Sequence, residues 1–187
     1  TYTAMGRFGN VLLIGGEQDY SLTARAGEVV RLWLTNTANT RVFNVALPGA
    51  RMKLVGGDSG RVEHEEFVSH VLLAPSERAV VDVLFGRPGQ LELEHRTPDR
   101  AYRLAAITVT EQQATPPLAG QFEVLREAPE LAAERQALGA WLAAPPDKTL
   151  ALIAEMDDIT APGQGPVVYA CPMHPEVTSD EPGRCPK

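Results

Sequence analysis

Cys171, Met173 and His174 fall within one short stretch near the C-terminal end of the chain, and Cys185 follows a little further on. A thiolate, a thioether and an imidazole gathered so closely form a soft donor set. Such a set suits Cu(I), with Zn(II) as the borderline alternative. Pro172 and Pro186 directly follow the two cysteines, and Pro175 and Pro182 stand nearby. These prolines stiffen the segment and limit the entropy lost on closing around an ion. Cys171, Met173, His174 and Cys185 are therefore the candidate metal ligands. Two plainer readings stay open: a Cys171 to Cys185 disulfide closing a short loop, and a tail without fixed structure.

The rest of the chain offers little other chemistry. Both cysteines lie in the tail, so the body holds no thiol. His64, His70 and His95 form no His-x-His pair; histidines at strand and loop borders are more often solvated or hydrogen-bonded than ligating. Asp58, beside Gly56 and Gly57, reads as a satisfier of turn amides. Glu77 and Arg78 read as a loop anchor. No Ser-His-Asp order, phosphate-cradling glycine loop or carboxylate pair stands out, so no catalytic residue is assigned.

The elements that must position the tail follow from composition and pattern. With 187 residues, 44% hydrophobic and 22% charged, the chain has room for one core plus an appendage. A formal net charge of -7 with no Lys/Arg-rich run excludes a polyanion-attracting surface, and nucleic acid with it. No apolar stretch approaches the roughly 20 residues of a membrane span, and the start carries no signal-peptide pattern. Because it opens at Thr1 without an initiator methionine, the chain reads as a mature or excised piece.

Short apolar runs punctuated by Gly, Pro, Asn and Asp predict strands at 10–14, 21–25, 29–36, 42–47, 52–56, 67–73, 79–85 and 91–95, with a return at 102–110. Val30, Leu32 and Leu34 alternate with Arg31, Trp33 and Thr35, and Leu91 and Leu93 alternate with Glu92 and Glu94. That period of two is the mark of a strand with one buried and one wetter face. The expected architecture is all-β, an antiparallel sandwich of two sheets with Greek-key connections. It fills residues 1–112, followed by a linker with one helix at 113–148. In that helix Pro129 suits the first turn, Leu131, Leu138, Trp141 and Leu142 share a stripe, and Ala144-Pro145-Pro146 ends the run. Trp141 is expected to dock on the sandwich or on a neighbouring domain. A strand-like run at 149–153 and a Gly/Pro loop fill residues 149–166, and 167–187 is the small irregular Cys/His tail.

Four phrases carry a family resemblance: Gly9-Asn10-Val11-Leu12-Leu13-Ile14-Gly15-Gly16, Val30-Arg31-Leu32-Trp33-Leu34-Thr35-Asn36-Thr37, Gly56-Gly57-Asp58-Ser59-Gly60, and Leu73-Ala74-Pro75-Ser76-Glu77-Arg78-Ala79-Val80-Val81-Asp82. In order and spacing they resemble the second plastocyanin-like domain of a multicopper oxidase, over somewhat more than half of the chain. The resemblance implies a cupredoxin-like sandwich. Residues 118–146 resemble the connector to a third domain, and 147–156 its opening strand. A type 1 copper centre needs two His, a Cys thiolate and often an axial Met, and the body lacks the thiolate. The second domain of three-domain oxidases is usually copper-free and spaces its neighbours, so the resemblance implies no cofactor in the sandwich.

The tail, from Tyr169-Ala170-Cys171-Pro172-Met173-His174-Pro175 to Glu181-Pro182-Gly183-Arg184-Cys185-Pro186-Lys187, resembles the heavy-metal-binding segment of copper P-type ATPases and some metal-efflux adaptors. That pattern normally continues with Cys-Gly-Met, whereas this chain ends at Lys187. Together the resemblances imply a non-catalytic middle piece of an exported copper oxidase, periplasmic or extracellular. Its expected partners are the other cupredoxin domains of the parent and a metal ion. The alternative is a stand-alone copper or heavy-metal-binding or delivery module on a cupredoxin scaffold. An immunoglobulin-like adhesion module explains the strands and leaves the tail unexplained.

Overall fold

Period-two alternation decides which side of each strand is buried, and in this protein it builds two facing sheets. The structure, a computed structural model, describes residues 6–151, 168–170, 174, 176–181, 183 and 185–186. It divides into two compact units, Tyr2–Leu142 and Ala143–Lys187 with Thr1.

In the first unit the strands are β1 (Ser21–Ala26), β2 (Glu28–Thr35), β3 (Phe43–Ala46), β4 (Arg51–Gly57), β5 (Gly60–Val68), β6 (His70–Leu73), β7 (Arg78–Phe85), β8 (Gly89–Arg96) and β9 (Ala101–Gln113). One sheet has the order β1-β9-β8-β3-β6 and the other β2-β7-β4-β5. Consecutive strands repeatedly change sheet, as in the Greek-key sandwich that the alternation predicts and in the cupredoxin-like form that the resemblance implies. One pairing departs from the antiparallel expectation: β1 runs parallel to β9, from Ser21 opposite Ala106 to Arg25 opposite Thr110.

The core forms where inner faces meet, with Val45, Val71, Leu73, Leu93 and Ile107 from one sheet and Met52, Val81, Val83 and Phe85 from the other. On β2, Val30, Leu32 and Leu34 turn inward while Arg31, Trp33 and Thr35 are exposed. β7 is buried from Ala79 to Phe85, because its outer face is covered as well.

Two strand expectations change. Residues 10–14 form no strand, only an isolated bridge from Ile14 to Glu17. Gly15 and Gly16 turn the chain back with φ of 60° and 91°, a left-handed conformation incompatible with continuing a strand. Leu12 and Ile14 still pack on the core. The run at 67–73 breaks at Ser69, with Phe67 and Val68 ending β5 in one sheet and β6 beginning the next edge in the other. Most of β5 went unforeseen because Arg61, Glu63, His64, Glu65 and Glu66 carry no apolar alternation.

The covering of the second sheet explains that polarity. After β9 the chain passes through α1 (Ala119–Phe122) and an extended stretch into α2 (Pro129–Leu142). Phe122 is 2% exposed; its ring lies 5.6 Å from that of Phe67, with the Arg51 guanidinium 5.4 Å from its centroid. Below it, oppositely charged residues cross the sheet. Arg31 makes a bidentate pair with Asp82 at 2.7 and 2.9 Å. The Lys53 ammonium lies 3.2 Å from Glu65 and donates to the Val124 carbonyl at 3.0 Å.

Alternate residues of β5 then hold this covering segment, a strap formed by residues 118–135, since residues two apart share a face. Arg61 pairs with Glu130, Glu63 with Arg135 through two 2.9 Å bonds, and Glu65 accepts the Arg126 amide at 3.1 Å. Arg51 adds an ion pair with Glu123, whose carboxyl is held below the usual carboxylate range chiefly by that hydrogen bond. Backbone bonds from Glu65 N–H to Arg126 O (3.0 Å) and from Ala128 N–H to Glu63 O (2.9 Å) cover part of the β5 edge. α2 itself buries no residue. Trp141 is 78% exposed, beside exposed Leu138 and Leu142, so the expected docking of Trp141 on the sandwich does not occur.

In the second unit, β10 (Tyr169–Ala170) and β11 (Thr178–Ser179) pair antiparallel. Of the strand-like run at 149–153, residues 149–151 are not in a strand, and the remainder lies outside the described residues.

Candidate metal site in the C-terminal segment

The β10–β11 pairing sets Tyr169 opposite Ser179 and Ala170 opposite Thr178, and the sequence between the two strands contains three of the four predicted ligands, Cys171, Met173 and His174. A 2.8 Å bond from the Val177 amide to the His174 carbonyl closes the return just before β11. After β11 the chain brings Cys185 back to His174, with Nδ1 and Sγ 3.3 Å apart. Both residues are half-buried. Cys185 is a free thiol. Cys171 and Met173, the other two predicted ligands, lie outside the described residues.

An imidazole nitrogen and a thiol sulfur in contact fit a soft or borderline metal ion, since each is a strong donor once deprotonated. Glu176, Asp180 and Glu181 stand exposed around the hairpin.

The body histidines are dispersed and otherwise engaged. His64 on β5 lies 3.2 Å from Glu63 and 3.9 Å from Glu127. His70 on β6 meets its neighbour Ser69 at 3.0 Å. His95 on β8 is 3% exposed, and its Nδ1 accepts the Asn44 amide at 3.1 Å. It sits between the rings of Phe43 and Tyr102. Burial, then the nearby Arg41 charge, pushes its pKa down, so it stays neutral with its proton on Nε2, as a packing group.

The smaller motifs also have structural duties. Asp58 accepts the Arg78 amide at 3.0 Å and its Nε–H at 2.9 Å. Glu77 accepts the Ala74 amide at 2.6 Å. Sequence reasoning missed the Lys53–Glu65 pair and the charged row beneath the strap; the i, i+2 spacing of Arg61, Glu63, Glu65 and Phe67 was the available signal.

Comparison with known proteins divides along the same line as the two units. Residues 168–187 match the heavy metal binding domain family. Among solved structures, the chain is similar to the laccase-like multicopper oxidase CueO of Ochrobactrum sp., at 26% identity over 62% of this chain and 28% of that one, with a TM-score of 0.53. It is also similar to the multicopper oxidase of Pseudomonas thermotolerans, at 27% identity over 59% of this chain and 26% of that one, with a TM-score of 0.50. McoA of Aquifex aeolicus, at 20% identity over 60% of this chain and 27% of that one, shares the fold with a TM-score of 0.55. The chain thus spans about a quarter of the length of these oxidases. No curated protein matches it.

Proposed function

We propose that this chain is a non-catalytic middle piece of an exported multicopper oxidase, spacing copper-bearing cupredoxin domains, and that its tail binds a soft metal ion. The observation that carries the spacer reading is a multicopper-oxidase fold whose sandwich has no cysteine and whose three histidines have separate partners. A type 1 centre needs a thiolate beside two imidazoles. The strap supports the reading in a second way. Ion pairs and backbone bonds fix residues 122–135 along β5 and so set the direction in which the chain leaves the sandwich, as a spacer requires. Periplasmic or extracellular placement follows from the same reading.

In the tail, Cys171, Met173, His174 and Cys185 would hold the ion, which supplies recruitment of metal to the parent enzyme. Copper is the first choice for such donors and zinc the second. The chain's own part is to keep the imidazole and thiol together and to present them on a short hairpin.

Oxygen uptake tests the spacer reading. The full chain, loaded with copper and given a phenolic substrate or Cu(I), is expected to consume dioxygen no faster than free copper at the same concentration. Turnover above that background overturns it. Stoichiometric uptake of metal followed by transfer to an acceptor chelator supports the stand-alone delivery module instead, a reading that the His174–Cys185 contact favours.

A further inference from the structure

We propose that the recess between the strap and the second sheet binds a small organic carboxylate, its anionic group held by Arg126 and Arg31 and its apolar body lying against Phe122. The site belongs to the sandwich unit and owes nothing to the metal reading of the tail.

Charge and unused donors carry the argument. A cavity of about 220 Å³ opens on the outer face of the second sheet, where Arg31, Lys53, Asp82, Gln121 and Arg126 supply its polar lining. Three cationic side chains therefore converge on one recess, in a chain whose formal net charge is -7. Two of them are answered within the sheet. Asp82 takes the Nε and Nη2 donors of Arg31, and Glu65 lies 3.2 Å from the Lys53 ammonium. Arg126 is different. Its amide donates to the Glu65 carboxylate and its carbonyl accepts the Glu65 amide, but its guanidinium has no partner among the described residues. One positive charge is left over at the cavity, and it calls for one negative charge.

The donors and walls narrow the class of ligand. A guanidinium presents planar, forked N–H groups that match a carboxylate, and the Nη1 donors of Arg31, which Asp82 does not use, lie on the same recess. Val29, Leu118 and Phe122 form the apolar part of the lining, so an organic body gains contact that a bare inorganic ion does not. The volume falls below the roughly 300 Å³ at which drug-sized ligands are held, which limits that body to about one ring. Phe122 is already fixed by its packing on Phe67 and by the Arg51–Glu123 pair beside it. Little ordering remains to be lost on binding.

Benzoate is the probe, followed by amide chemical shifts of the full chain, with benzamide as its neutral counterpart. Benzoate is expected to give saturable shifts at Val29, Gln121, Phe122 and Arg126, and benzamide to give none at the same concentrations. Arg126→Gln should weaken benzoate binding about tenfold, as for loss of one hydrogen bond to a charged group. Arg135→Gln, which alters an exposed arginine on the far part of the strap, should leave it unchanged. Absence of saturation overturns the inference, and so does equal binding of benzamide. Equal weakening by both variants also overturns it, since attraction to surface arginines in general would then account for the shifts.

Discussion

Lys53→Ala is expected to destabilise the sandwich by about 3–5 kcal/mol, because it strands the Glu65 carboxylate beneath the strap. Lys53 is 2% exposed, and its ammonium faces Glu65 and the Val124 carbonyl. Truncation removes the counter-charge and opens space under Phe122, whose ring centroid lies 5.3 Å from Lys53 Nζ. The cost belongs to the broken pair more than to the pair itself. Lys53→Met combined with Glu65→Leu is therefore expected to recover most of the loss, since apolar residues of similar volume often replace a buried ion pair at little cost. It forfeits the Arg126 amide bond to Glu65, worth about 1 kcal/mol. Urea denaturation of the two variants checks both expectations; a double variant as unstable as the single one would contradict this account of the pair.

Phe122→Ala is expected to cost about 3 kcal/mol, at the lower end of the range for losing a buried aromatic ring. The ring covers the outer face of the second sheet, meets Phe67 and lies under Arg51. Its loss leaves the strap held by a few hydrogen bonds to the sheet and by exposed ion pairs, each worth about 0–1 kcal/mol. The Arg135–Glu63 and Arg61–Glu130 contacts are of this kind. Amide exchange should accordingly quicken across residues 118–128 far more than in β7, whose inner face is retained. Equal acceleration in both would mean that strap and sandwich unfold as one unit.

These two positions also mark the limit of what the sequence discloses. The alternation in β2 and β8 is readable because one face meets the core and the other meets water, so polarity and burial coincide. β7 is readable as a continuous apolar run, apart from Asp82, whose charge answers Arg31 on the neighbouring strand. β5 is illegible because its outward residues are polar and find their partners far away in sequence: Glu130, Arg135 and the Arg126 amide lie 61 to 72 residues further along the chain. Residues 10–14 mislead in the opposite direction. Leu12 and Ile14 do reach the core, whereas Val11 and Leu13 stay exposed, and the glycines that follow turn the backbone away from pairing. In the tail, residue types alone mark His174 and Cys185 as candidate ligands. Their contact depends on the return of the chain after β11, which no local spacing encodes.

On the function proposed for this chain, metal chemistry lies in the tail and not in the sandwich. Copper retained per chain after loading under reducing conditions and gel filtration tests it most directly, comparing the unaltered full chain with Cys171→Ser/Cys185→Ser. The unaltered chain is expected to keep copper, and the double variant, with unchanged circular dichroism, to keep none above a histidine-only background. Full retention by the double variant would place the copper in the sandwich and overturn the proposed role of the tail.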